Sequence, residues 1–199
     1  MPVPSHEKDA CRASHRRLLA TITSLPAEVI AAESLLPTWS IAHVLTHLAR
    51  NADSVVRRLN GAREFRLVEQ YDGGQVGRAR EVAAGAMRDP EIIKQDVIDS
   101  CAAVDRAFTD CPDDVWDRPI LLGTGEQRPA TRLVTGRWRE VEVHHVDLGL
   151  AYTHEDWDDA FVTQFLPQVV DSLPSRTAKA ELLAWALGRA DAPVLAPWG

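Results

Sequence analysis

The stretch Glu140-Val141-Glu142-Val143-His144-His145-Val146-Asp147 concentrates carboxylates and imidazoles at helical spacings. Glu140 and His144 lie four residues apart, so on a helix their side chains project about 40° from one another, as two ligands of one metal ion must. Glu142 and His145 form a rival pair three apart, and spacing alone does not choose between the pairs. A third ligand is needed. The upstream segment Trp39-Ser40-Ile41-Ala42-His43-Val44-Leu45-Thr46-His47-Leu48-Ala49-Arg50 offers His43 and His47, again four apart. If the two segments pack side by side as helices, they make a site of two histidines and one glutamate, for which zinc is the best-suited ion.

The elements that must position these residues read as helices. Residues 5–24 carry intermittent apolar positions and end before Pro26. Pro37-Thr38-Trp39-Ser40 opens the next helix, in which Ile41, Leu45, Leu48, Ala52, Val55, Val56 and Leu59 share one face before Gly61. Residues 71–74 (Tyr-Asp-Gly-Gly) form a loop by composition. Helical patterns resume over 78–87 and 91–108, and Pro119, Gly123, Gly125 and Pro129 break 116–131 into a loop or small hairpin. A long helix is expected over 133–152, with further helical segments at 157–170 and 178–187, while Pro193 and Pro197 keep the tail irregular. The sum is an all-α chain: a helical bundle over residues 1–153 and a short C-terminal helical segment over 154–199.

The helical wheel gives the proposed ligands contrasting settings. Residues 39–60 bury their apolar stripe and leave His43 and His47 with Arg50, Asn51 and Ser54, which fits a solvated face and equally the wall of a wet cleft. Residues 133–152 carry apolar side chains on two sides, Val134, Trp138, Val141 and Leu148 on one and Val143, Val146 and Leu150 on the other. Glu140 and His144 point into the gap between those stripes, where a buried carboxylate needs a cation or donor partner.

Composition bounds the rest. The chain has 199 residues, 45% hydrophobic and 26% charged, with a formal net charge of −7, enough for one good core plus a small appendage. The acidic balance, without clustered basic residues, argues against a nucleic-acid surface and for small-molecule partners. No apolar run is long enough to span a bilayer and the first ten residues lack a signal pattern, so a cytoplasmic location is expected. Cys11, Cys101 and Cys111 match no metal-binding or disulfide spacing and read as reduced thiols.

Taken together, Trp39-Ser40, the run from His43 to Asp53, Tyr71 with Arg78 and Glu81, and the run from Arg139 to Leu148 resemble the mycothiol-dependent maleylpyruvate isomerase family of the DinB-like metalloenzymes. The resemblance covers most of the first 150 residues. It implies a DinB-like four-helix bundle with a small C-terminal helical extension and a zinc site, with other divalent metals as possible occupants. The implied ligands are His47, Glu140 and His144, which leaves Glu142 and His145 at non-ligand positions. It further implies a low-molecular-weight thiol as cofactor, mycothiol before glutathione, bacillithiol or ergothioneine. Tyr71 and Arg78 would contact that thiol, and Arg78 and Arg189, the latter in Leu187-Gly188-Arg189, would serve catalysis by holding substrate carboxylates. Asp147 would either orient a ligand or serve as an ordinary surface acid. The implied reaction is cis–trans isomerisation of an unsaturated keto acid. The alternatives are a zinc-dependent thiol S-transferase that conjugates an electrophile, and a non-catalytic binding or regulatory module of the same fold.

Overall fold

A computed structural model describes residues 3–196. Pro197 of the expected irregular tail lies outside the described residues. The chain divides into two compact units, residues 1–155 and 156–199.

The first unit is built on four long helices: α1 (Ser5–Thr23), α3 (Ile41–Arg63), α5 (Pro90–Thr109) and α6 (Thr131–Asp147). Two shorter helices, α2 (Ala27–Ile30) and α4 (Gly74–Gly85), lie between them. The strands β1 (Pro119–Leu121) and β2 (Gln127–Pro129) pair antiparallel with Ile120 opposite Arg128, the small hairpin that the glycines and prolines of this region suggest. Helix α3 is the hub, packing on α5, α6 and α4, while α1 lies against α6 and α5. The core between them is aliphatic: Leu18, Ile22, Val44, Leu45, Leu48, Ile93, Val97 and Val141 are all essentially inaccessible to solvent. Among the described residues no helix is long and apolar enough to cross a membrane.

Local chemistry explains several boundaries. Asp89 caps α5 by accepting from the Glu91 amide at 2.9 Å, and Pro90 occupies the first turn, where its missing N–H costs nothing. At the start of α3 the Ser40 amide donates to Nδ1 of His43 at 3.3 Å, so His43 closes a capping box at the helix entrance. Helix α6 stops at Asp147, five residues short of the sequence expectation. Gly149 takes φ of 70°, a left-handed conformation that ends the helix, and the Asp147 carbonyl accepts from the Leu35 amide at 2.9 Å. Helix α4 begins at Gly74 and requires Gly77, because a Cβ there would sit 1.8 Å from the Asp72 carbonyl oxygen.

The second unit contains α7 (Asp159–Arg176) and α8 (Lys179–Ala186), which pack on one another. Helix α7 runs past the expected end at residue 170 with Pro167 and Pro174 inside it.

Candidate metal centre

His47 on α3 and Glu140 and His144 on α6 meet as three potential ligands whose donor atoms all lie within 4.8 Å of one another. Nε2 of His47 is 3.0 Å from Oε2 of Glu140, and Nε2 of His144 is 3.5 Å from the same oxygen. The two imidazole rings stand nearly perpendicular, 88° between planes, with centroids 4.7 Å apart. His47 is only 2% exposed, so the solvated-face reading of its helix is wrong at this position. The polar side of α3 is covered as well as the apolar side: Asn51, Ser54 and Arg58 are also buried.

The electrostatics suit a cation. Burial would push the Glu140 carboxyl up, but hydrogen bonds from His144 and His47 hold it well below the usual carboxylate range. Burial pushes His47 down to about 4 despite the pull of Glu140. At His144 burial works in the same direction, yet Asp147 and Glu140 carry its pKa up to about 9. Nδ1 of His144 lies 2.8 Å from Oδ2 of Asp147, the carboxylate–imidazole support that fixes a ligating histidine with its other nitrogen facing the metal. The donor set therefore fits zinc chemically: two imidazoles, one ionised carboxylate and a supporting acid.

Arg78 borders the triad and stands between it and Tyr71 in the chain of contacts. Nη2 of Arg78 is 3.2 Å from Nδ1 of His47, and its guanidinium stands 5.7 Å from the Trp39 ring and 5.9 Å from the Tyr71 ring. Tyr71 is buried, and a cavity of about 180 Å³ opens beside it between residues 69–75 and the β-hairpin, lined by Gln70, Gln75, Leu121 and Gly123. Arg189 follows α8 on an exposed turn of the second unit.

The rival pair faces elsewhere. Glu142, 1% exposed, accepts hydrogen bonds from Ser14 and Arg17 of α1 and from the Tyr152 hydroxyl. His145 stacks on Tyr152 with centroids 3.8 Å apart, and its Nε2 lies 2.9 Å from Oγ1 of Thr21. Both residues bind α6 to α1. His43 is engaged in the cap of α3. Sequence reasoning missed Arg137, a fully buried arginine one turn before Glu140. The available signal was its place on the wheel beside Val134, Trp138 and Val141, an arginine within an apolar stripe.

The sequence model of the family described as the mycothiol maleylpyruvate isomerase N-terminal domain matches residues 11–149. Among solved structures, a crystal structure of the mycothiol-dependent maleylpyruvate isomerase superposes with a TM-score of 0.77 at 24% identity, covering 82% of this chain and 67% of that one. A histidine-to-alanine mutant of the same isomerase gives a TM-score of 0.77 at 23% identity with the same coverage. No curated protein matches the sequence. With most of its length matched by the family's sequence model and its bundle shared with these structures, the chain belongs to the mycothiol maleylpyruvate isomerase N-terminal domain family.

Proposed function

We propose that the chain is a zinc- and thiol-dependent cis–trans isomerase acting on maleylpyruvate or a similar unsaturated keto acid. The convergence of His47, Glu140 and His144 carries this reading, since three protein ligands leave one coordination position for an exchangeable group. Zinc bound there would supply Lewis acidity that favours the thiolate of an incoming thiol near neutral pH. Mycothiol is the thiol named for the related isomerase, and the cavity beside Tyr71, lined by Gln70, Gln75 and Leu121, is the proposed seat for part of such a molecule.

The chain's own groups orient the reactants. Asp147 accepts from Nδ1–H of His144 and so keeps the Nε2 lone pair directed at the site. Arg78, whose Nη2 lies 3.2 Å from Nδ1 of His47, brings a guanidinium to the edge of the triad, where it would hold a substrate carboxylate.

In the reaction, sulfur adds to the double bond and the electron pair moves onto the conjugated carbonyl as an enolate. The former double bond then rotates as a single bond. Collapse of the enolate expels the thiol and leaves the trans isomer, with no net consumption of thiol. The test is metal analysis of the purified protein followed by incubation of the zinc form with maleylpyruvate and a panel of thiols. About one zinc per chain and trans product with thiol recovered support the proposal. Consumption of thiol into an adduct would make the protein an S-transferase, and a metal-free protein whose behaviour is unchanged by His47→Ala would sink both enzyme readings.

A further inference from the structure

The centre of the bundle holds a second polar assembly that the reaction does not use. Arg137 of α6 is 1% exposed and its donors reach all three other long helices. Nε donates to Nε2 of His15 on α1 at 3.1 Å, and Nη1 donates to the Leu48 carbonyl at 2.8 Å and to Oδ1 of Asn51 at 3.0 Å, both on α3. Nη2 lies 3.4 Å from Sγ of Cys101 on α5. Among the described residues none of these acceptors is a carboxylate, although a guanidinium cannot shed its charge and a buried charge requires compensation.

The compensation is indirect. Arg137 can only donate, so Nε2 of His15 must present a lone pair and the imidazole proton sits on Nδ1, from which it is donated to Oδ1 of Asp105 at 2.8 Å. Burial pushes the His15 pKa down, but Cys11, Asp105 and Cys101 raise it well above its ordinary value; a doubly protonated ring would nonetheless set a donor against Nε of Arg137, and this contact assigns the neutral ring. Asp105 thus balances Arg137 through a neutral histidine.

The position of this assembly relates it to the metal centre. Arg137 precedes Glu140 by three residues, and its two acceptors on α3 follow His47 by one and four residues. The contact therefore lies about one helical turn from the triad on both helices. We infer that Arg137 is a positioning residue, a clamp that fixes the register of α3 against α6 and with it the spacing of His47 from Glu140 and His144. The inference rests on the metal reading of the triad only for its affinity readout.

The test compares Arg137→Lys with Cys101→Ala, measuring zinc affinity by competition with a chromophoric chelator. In the metal-free protein it also measures the nuclear Overhauser contact between the His47 and His144 rings. Lysine keeps a cation in place but cannot serve three helices, so zinc affinity should fall about tenfold or more and the ring–ring contact should weaken. Cys101→Ala removes only the acceptor on α5 and should leave both readouts near the wild-type values. Should Arg137→Lys not fold, Asn51→Ala decides, with a smaller loss in the same direction. Wild-type affinity and an intact ring contact in the Arg137 or Asn51 variant would overturn the clamp, as would an equal loss in Cys101→Ala. A wild-type protein that binds no zinc would overturn the metal reading alone, because the ring contact still decides the clamp.

Discussion

The two faces of α6 carry the same chemistry to different ends. On one face Glu140 and His144 meet His47 and share a single carboxylate oxygen among two imidazoles. On the other, Glu142 has donors from Ser14, Arg17 and Tyr152, and His145 is held between Thr21 and the Tyr152 ring. Both acids are largely withdrawn from water, but Arg17 bonds Glu142 directly, whereas the Arg139 guanidinium stands 3.9 Å from Glu140. A buried acid beside a histidine is thus a site only when its partners are themselves ligands. When its partners are fixed donors, it is a joint between helices.

The strongest way to break this comparison is to neutralise each acid in turn. Glu140→Gln should reduce bound zinc from about one ion per chain to a small fraction of that, whereas Glu142→Gln should leave metal content near wild type; equal losses by elemental analysis would erase the distinction. Stability should follow the reverse order. Glu142→Ala strands Arg17 and Tyr152 and should cost about 2–3 kcal/mol in urea unfolding of the metal-free protein. That lies at or below the low end for a fully buried pair, because Arg17 is 34% exposed.

A pH experiment sharpens the contrast. Burial, then the hydrogen bond to Glu142, raises the Tyr152 phenol well above its ordinary value of 10.0. Its contribution is therefore fully present below that value. It is lost as the pH rises beyond it, where the unfolded chain ionises first. Wild-type stability should fall on that alkaline limb, and Tyr152→Phe, already less stable at neutral pH, should lack the corresponding part of the slope. The smallest expected effect is that of Thr21→Val, which removes one hydrogen bond to His145 and should cost about 0.5–1.5 kcal/mol with zinc binding unchanged. A measurable loss of zinc in that variant would mean that the two faces are coupled.

The helices were readable in the sequence where apolar period and end signals agreed. Helix α3 is the clearest case, with Ser40 at its entrance and an apolar stripe through Leu59. The readings that failed share a cause, since a wheel drawn from one helix knows nothing of what covers its polar side. His47, Asn51 and Ser54 looked solvated, yet α6 and α4 pack on α3 and all three are buried. The end of α6 was set by Gly149 and by the Leu35 amide, a contact distant in sequence. Helix α7 runs to Arg176, past the segment expected over 157–170, with Pro174 inside the added length, and the four-residue α2 is too short to leave a period. For the metal centre, the residue types and the spacing of Glu140 and His144 were legible. The choice of that pair over Glu142 and His145 came from the family resemblance, and its geometric reason lies in α1.

The crowding of α6 bears on how the protein can change over generations. Within one stretch of nine residues, Arg137 contacts three helices, Trp138 and Val141 fill the core, Glu140 and His144 meet His47, and Glu142 and His145 grip α1. Few positions there can drift without touching folding or chemistry. Change is freer at exposed side chains around Tyr71 and the β-hairpin, such as Asp72, Gln75 and Gln127, though not at Gly73, Gly74 and Gly125, which hold positive φ. In a library of single substitutions the helix should stand out as a nearly unbroken band of intolerance.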